Sequence, residues 1–569
     1  MKKVNELSVV GPFLGPGVPG EIRIFIALPY LKTVQKLTCQ ITQNNSVAKE
    51  ETATVSDEHC RLFSFFFSGL DVSKTYGYRF LAGGEPLDLQ GGLKEEDCHF
   101  RPCSTLDGND SFILLSCHNP FGKKTGSTEH GWRMWERLCD QIASDSSIRL
   151  FLMAGDQVYN DEIEHEYMKK LKGNETNEKV LNELRSRFIR QYLRYWENIS
   201  YRKVLAQIPS LAIWDDHDIT DGWGGRPESF ENDNEFKSHW LKFYDIAAEV
   251  FAKYQTPRNS NAVPGVPGEV FTSFYDWGDT RFYLLDFRSE KNSRKNQLWE
   301  NVHETAVFDS LRLLPDAIKR IFFVSPVVPL RTNFQGDSRL SEISKLFFKL
   351  RKFFNRQFFQ KTWVKIFHWL LIPTSLLFMD IFFIRISLLT GLLFVIGLLM
   401  LLFSIAYLIV LAASKIPEVP DLSDDLEDGL SANPNKKTLE RILKELFRLV
   451  REKETRVVIL SGDIHIGGVT EIVERITDKV CTIPQIVSSA ISNKPMPKVV
   501  EGLTSTTSEM NLDSENELFA RNIFYKSKRN FVQIFPKHIL EKSAHAAVSF
   551  HFEDHRLPIS FDPKYVDIL

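Results

Sequence analysis

The chain has 569 residues, too many for one ordinary core, so two domains with insertions are expected. A net charge of -3 gives no argument for a nucleic-acid partner, and seven cysteines, odd in number and free of C-x-x-C pairs, exclude a disulfide framework and a structural zinc site. They fit a reducing compartment, and the glycines and prolines of VNELSVVGPFLGPGVPG interrupt any secretory signal.

Residues 1–105 read as an all-β domain. EIRIFIAL, KLTCQIT, LFSFFFSGL and YGYRFLAG are short β-branched and aromatic runs between turn signals, with no helical period. SGLDVSKTYGYRFLA resembles the closing stretch of a fibronectin-type sandwich, although Asp71 to Ser73 stand where its proline pattern would be. Cys39 and Cys60 are expected core residues.

From Ser111 the pattern becomes strand, helix, strand, the alternation of an α/β layer. Trp132, Trp135, Cys139 and Ile142 recur at helical spacing, and helices are predicted for VLNELRSRFIRQYLRYWENIS and FKSHWLKFYDIAAEVFAKYQ. RFYLLDF and RIFFVSPVVPL are strand candidates. Residues 106–340 thus form the first part of a central domain.

Residues 341–436 read as an insertion. Lys345, Lys349, Lys352 and Arg356 mark one helix face and Phe347, Leu350, Phe354 and Phe358 another, the pattern of a basic amphipathic helix at a membrane interface. Residues 386–413 carry no charge over more than the roughly 20 residues needed to cross a bilayer. Residues 363–384 are nearly as apolar, and pairing the two as a transmembrane helical hairpin keeps both flanks on one side. The basic run then predicts a catalytic domain facing the cytoplasm from the inner membrane. An acidic, proline-containing linker follows. Leu439, Ile442, Leu443, Leu446 and Leu449 begin the domain's second part, residues 437–569, which ends in a β-rich tail.

Five apolar runs end in the same kind of residue. SFILLSCHNP delivers Cys117 and Asn119, RLFLMAGDQVYND delivers Asp156, Tyr159 and Asp161, SLAIWDDHD delivers Asp216 and His217, RFYLLDFRS delivers Arg288, and VVILSGDIHIGG delivers Asp463 and His465. Chemistry in α/β sheets gathers at the carboxyl ends of strands, so these fragments are expected to converge on one crevice. Two metal ions could there provide a nucleophilic hydroxide at neutral pH and neutralise phosphoryl charge, with Asp156 placed to bridge them. Cys117 and Tyr159 suit iron, and the oxygen ligands suit calcium, manganese or magnesium.

SCHNPF, GDQVYND, DDHDITDGWG and SGDIHIGG resemble the motif set of the PhoD-like metallophosphatases, within the calcineurin-like metallophosphoesterases. The resemblance implies an α/β metallophosphoesterase β-sandwich flanked by helices, behind an amino-terminal fibronectin- or Ig-like domain. It implies a phosphomonoesterase or phosphodiesterase using iron plus calcium, and it puts Cys117, Asp156 and Tyr159 on an iron, with Asp156 shared and Asp463 and His465 in the metal shell. It makes Asp216 a ligand of the second ion and His217 the general acid, gives Arg288 a phosphate-clamping role, and groups Asn119 with these two. The family's second-ion asparagine is replaced here, so that duty falls to Asp221 or to Asp216. The expected function is therefore a membrane-attached metal-dependent phosphatase. Its alternatives are a phosphodiesterase or pyrophosphatase on lipid-linked or nucleotide phosphates, and a non-catalytic membrane-tethered metal-binding protein.

Overall fold

The computed structural model describes residues 7–121, 128–231, 235–329, 435–476, 479–496, 510–512, 517–539, 547–562 and 565–568. They belong to one compact unit built from Met1–Asn333 and Glu427–Leu569; the second unit, Phe334–Leu426, lies outside the described residues.

The first eight strands are β1 (Val10–Pro16), β2 (Ile22–Ala27), β3 (Lys36–Gln43), β4 (Ser46–Thr54), β5 (Leu62–Phe67), β6 (Tyr76–Ala82), β7 (Glu85–Pro86) and β8 (His99–Phe100). They form two antiparallel sheets, β1-β2-β5 and β4-β3-β6-β7, with β8 also on β6. Side chains alternate across a strand, so Ile22, Ile24, Phe63, Phe65 and Phe67 of one sheet meet Leu37, Cys39, Ile41, Tyr78 and Phe80 of the other in a core of their own. Cys60 is buried on the opposite side of the first sheet, in the core of the α/β body.

That body runs β9 (Ser111–Leu115), α1 (Thr128–Ser144), β10 (Ile148–Ala154), α2 (Asp161–Leu171), α3 (Glu178–Tyr195), α4 (Ile199–Gln207), β11 (Ser210–Ile213) and α5 (Ser238–Tyr254). It continues through β12 (Asn261–Ala262), β13 (Ser273–Trp277), β14 (Thr280–Leu284), α6 (Asn301–Arg312) and β15 (Arg320–Ser325). Next come α7 (Lys436–Glu452), β16 (Arg456–Ser461), β17 (Gly467–Ile476), β18 (Lys479–Val487), β19 (Met510–Asn511) and β20 (Leu518–Lys526), and last β21 (Asn530–Ile534), β22 (Val548–Phe552), β23 (Arg556–Asp562) and β24 (Tyr565–Ile568).

Two sheets result, in the orders β11-β10-β9-β21-β22-β23-β24 and β12-β13-β14-β15-β16-β18-β17-β20-β19. Their facing sides share one core, where Phe112 meets Phe282 and Phe322 edge-on at 5.2 and 5.0 Å. The alternation continues outward: Phe322, Val324, Val458 and Leu460 point into that core, while Ile321, Phe323, Val457 and Ile459 point to a second core under α6 and α7. Both faces of β15 and β16 are therefore buried, which explains their unbroken apolar runs.

The positions of the parallel strands set up the site. Strands β9, β10 and β11 run parallel in one sheet, and β14, β15, β16 and β18 run parallel in the other. Ser116 Oγ donates to Ser488 O at 2.8 Å, tying the carboxyl ends of β9 and β18 together across the sandwich.

The expected transmembrane hairpin is corrected. No helix among the described residues is long and apolar enough to cross a membrane. The longest, α3, has 18 residues, about 27 Å at the α-helical rise, and it carries charge along its length. A span needs about 20 mostly apolar residues. Residues 363–384 and 386–413, like the basic helix expected over 345–356, lie outside the described residues. The fold is a mixed α/β body with amino-terminal β-sheets, and membrane attachment finds no support in it.

Candidate metal centre

The chain bends sharply where it leaves these strands. Cys117 after β9, Asp156 after β10, and Asp463 and His465 after β16 all have left-handed backbones, with φ of 55, 59, 73 and 53°. Such a backbone costs a non-glycine residue about 1–2 kcal/mol, so side-chain direction is being held here against conformational preference. Two glycines let the ends close up. A Cβ on Gly155 would lie 2.7 Å from Asp215 Cβ, and one on Gly462 would lie 2.4 Å from Ala154 O and 2.5 Å from Ser116 Cβ.

Asp156 stands at the centre. Its Oδ2 is 3.5 Å from Cys117 Sγ and accepts the Tyr159 hydroxyl at 3.0 Å, while its Oδ1 is buried with no hydrogen-bond partner. Cys117 Sγ also lies 3.2 Å from Asp463 O. One candidate ligand atom from each of Asp156, Asp216 and His217 lies within 4.8 Å of the others. The His217 ring stacks on Tyr159, 4.1 Å between centroids, and its Nδ1 is 3.0 Å from both Asp161 oxygens. Its Nε2 faces Asp221 Oδ1 at 3.8 Å.

A buried frame fixes these groups. Arg288, 1% exposed, donates through Nε to Asp215 and places Nη2 3.3 Å from Asp216 Oδ1; the Gly222 N–H reaches Asp216 Oδ2 at 2.6 Å. The Asp218 carboxylate accepts the backbone N–H groups of Asp156 (2.9 Å), Val158 (3.0 Å) and Asp215 (3.0 Å), joining the ends of β10 and β11.

So many acids in so little water titrate abnormally. Burial pushes Asp156 well above the usual carboxylate range, with His217 opposing and Asp215 and Asp216 adding to it. It lifts Asp215 to about 8 against the pull of Arg288, Asp218 to about 7 against its backbone donors, and Asp221 to about 6 against His217. Burial acts the same way on Asp216, but Arg288 and His217 outweigh it and hold that carboxyl below its usual range. Burial would lower His217, yet Asp161, Asp216 and Asp156 together raise it well above an ordinary imidazole. His465 is lowered to about 3, by burial and then by His217. Burial, followed by Asp156, raises both the Cys117 thiol and the Tyr159 phenol. A thiol, a phenol and several carboxyls thus face each other with too little positive charge, and two buried carboxylate oxygens, Asp156 Oδ1 and Asp215 Oδ2, have no hydrogen-bond partner. Multivalent cations answer both deficits, and the O, N and S donors fit them.

Cys117, Asp156, Tyr159, Asp216 and His217 are brought together. His465 is joined to them through Asn493, whose Nδ2 is 3.2 Å from His465 Nε2 and 3.1 Å from Tyr159 Oη. Asp463 contributes a backbone carbonyl to the Cys117 surroundings, and its side chain is buried beside them. Asp221 sits at the rim, its side chain 45% exposed. Arg288 is engaged with Asp215, Asp216 and the Trp223 carbonyl. Asn119 turns its Oδ1 to the N–H of Phe121 at 3.2 Å, within its own turn. Besides Asp215, four participants had no role assigned from sequence: Asp161, Asp218, Asn493 and Ser489, whose Oγ is 3.0 Å from Cys117 Sγ. Asp161 and Asp218 lie inside motifs already singled out, and VSSAISNKP contains the other two.

Comparison with known proteins points to one family and one fold. Residues 112–314 match the family model of the PhoD-like phosphatases. An uncharacterized protein of Saccharomyces cerevisiae is 23% identical over 534 residues, covering 79% of this chain and 68% of that protein. The solved structure of PhoD superposes with a TM-score of 0.55 at 12% identity, covering 100% of this chain and 93% of that one, which is a likeness of fold.

Proposed function

We propose that this chain, a PhoD-like phosphatase by its residues 112–314 and so a phosphoric ester hydrolase, cleaves phosphate esters at a two-ion centre held by Cys117, Asp156, Tyr159, Asp216 and the Asp463–His465 turn. The observation that carries the reading is Asp156: a buried carboxylate with one oxygen near a thiol and a phenol, and the other without any partner. Iron suits the thiol and phenol side, and calcium, manganese or magnesium the carboxylate side. When bound, such ions supply the Lewis acidity that makes water nucleophilic at neutral pH and screens charge on phosphoryl oxygens.

The chain's own groups do the rest. His217 holds a proton at Nε2 while Asp161 grips Nδ1 and Tyr159 supports the ring face, so the imidazole is aimed and charged to protonate a leaving oxygen. Arg288 keeps Asp215 and Asp216 from moving apart. Asp221, at the rim and 3.8 Å from His217 Nε2, is placed to share the second ion or to balance the positive charge of the protonated His217 ring.

The test is hydrolysis of an aryl phosphate and a bis-aryl phosphate by full-length protein supplied separately with iron, calcium and manganese. Turnover of at least one is expected, and Asp156→Asn should lower it at least about 10³-fold with an unchanged circular dichroism spectrum. Stoichiometric metal binding without turnover of either substrate would instead identify a binding protein.

A further inference from the structure

Every candidate metal ligand named above lies on the segments after β9, β10, β11 and β16, but a further segment, leaving β18, is hydrogen-bonded to the same ligand atoms. We propose that Ser489 and Asn493 are positioning residues that each aim one hydrogen-bond donor at a ligand atom, Ser489 at Cys117 Sγ and Asn493 at Tyr159 Oη. This rests on the metal-centre reading above and adds to it the groups that orient its thiol and phenol ligands.

The donor directions follow from the neighbours. Ser489 Oγ accepts the backbone N–H of His465 at 3.0 Å, a group that can only donate. Its single O–H therefore remains to be donated, and Cys117 Sγ lies 3.0 Å away. The Asn493 amide is oriented in the same way. Its Oδ1 accepts the N–H of Lys494 at 2.7 Å, so the end bearing two N–H groups is the one that faces Tyr159 Oη at 3.1 Å and His465 Nε2 at 3.2 Å.

The loop is braced by its backbone, so neither side chain is needed to hold it. The Ile491 N–H donates to Ser116 O at 3.0 Å and the Asn493 N–H to Cys117 O at 3.1 Å, so the loop is suspended from the strand end that carries Cys117. Asn530 Nδ2 donates to Ser489 O at 2.7 Å, and Arg529 Nε to the carbonyls of Ser492 and Asn493 at 2.9 and 3.0 Å. A hydrogen bond to a ligand atom draws electron density from it and fixes its orientation, and loss of such partners commonly weakens metal binding 10- to 100-fold.

The experiment uses the full-length protein loaded with ferric iron and, separately, with cobalt(II). Wild type should show a visible phenolate-to-iron band that is absent in Tyr159→Phe, and a near-ultraviolet thiolate-to-cobalt band that is absent in Cys117→Ser. Asn493→Ala should move the first band to longer wavelength, Ser489→Ala the second, and each should lower affinity in chelator competition by about 10-fold or more. Ser489→Thr, which keeps the hydroxyl, should restore the cobalt band to its wild-type position. Asn493→Asp, the same shape without the donors, is read alongside Asn493→Ala in case the alanine variant does not fold. Unchanged bands and affinities in the variants, with both ligand controls behaving as stated, would overturn the inference and leave the centre intact. Wild-type bands that are missing, or that survive Tyr159→Phe and Cys117→Ser, would overturn the metal reading and this inference with it.

Discussion

His217 is gripped on one nitrogen and free to act through the other, which makes its contribution depend on the leaving group. An aryl oxide departs readily without a proton, whereas an alkoxide does not, and general acids contribute about 10²–10⁴-fold where they are needed. His217→Ala is therefore expected to slow an alkyl phosphate by about that factor and an aryl phosphate far less, measured as kcat/KM on both; equal losses would remove its acid role. His551 shows the opposite electrostatics away from the centre. It lies on β22, stacked on Phe531 with Nε2 buried and unpartnered, and burial, then Arg556 and Arg137, push it down to about 3. The unfolded imidazole binds a proton below about 6.5 that the folded one refuses until about 3. The stability it contributes is complete above pH 6.5 and is lost as pH falls toward 3, with about 2 kcal/mol gone by pH 5. His551→Phe should lose correspondingly less between pH 7 and pH 5 in urea denaturation, and equal losses in both proteins would contradict the assignment.

The strand ends themselves depend on how closely the elements approach. Gly462 follows β16 where β9 and β10 also end, and the space for its Cβ is filled by backbone and by Ser116. Gly462→Ala should cost about 1–3 kcal/mol by overpacking and should depress hydrolysis as well, because it separates Asp463 from Cys117. A variant with wild-type melting temperature and kcat would show that the ends can part freely. These elements were the legible part of the chain: a buried strand reads as an apolar run, and a residue that must turn to a ligand reads as Asp, His or Cys directly after it. Helices α3 and α5 were equally plain from their 3.6-residue period. The β18 loop was not, since Ser489 and Asn493 follow no period and their meaning lies in which strand end they hang from. The placement of Arg288 behind Asp215 and Asp216 was hidden for the same reason, because a D-x-R spacing says nothing of the carboxylates it will meet across the sandwich.

At the scale of the molecule, the amino-terminal sheets are fastened to the α/β body by a buried cation. Arg202 of α4 is fully buried and donates to the carbonyls of Gln90 (2.6 Å), Gly11 (3.1 Å) and Leu89 (2.6 Å). Arg202→Met would take the guanidinium donor from the buried carbonyls of Gly11 and Leu89, while Gln90 O keeps the Leu93 N–H at 3.2 Å, so a loss of roughly 2–3 kcal/mol is expected, together with faster proteolysis within residues 1–105. Unaltered proteolysis there would mean that apolar packing alone holds the sheets in place. The body has a longer-range joint of its own. Strand β9 lies between β10 and β21, with Leu114 paired to Val532. On the ribosome the second of these neighbours is made roughly 20–80 s after the first, at about 5–20 residues per second. Throughout that interval β9 is an open edge, the kind of surface that invites pairing with other chains, and the segments bearing Asp463, Ser489 and Asn493 are still unmade or only just emerging. A nascent chain can shape the pocket around Asp156 but cannot close it, so the proposed centre would be completed only after translation, and β9 has to be shielded meanwhile.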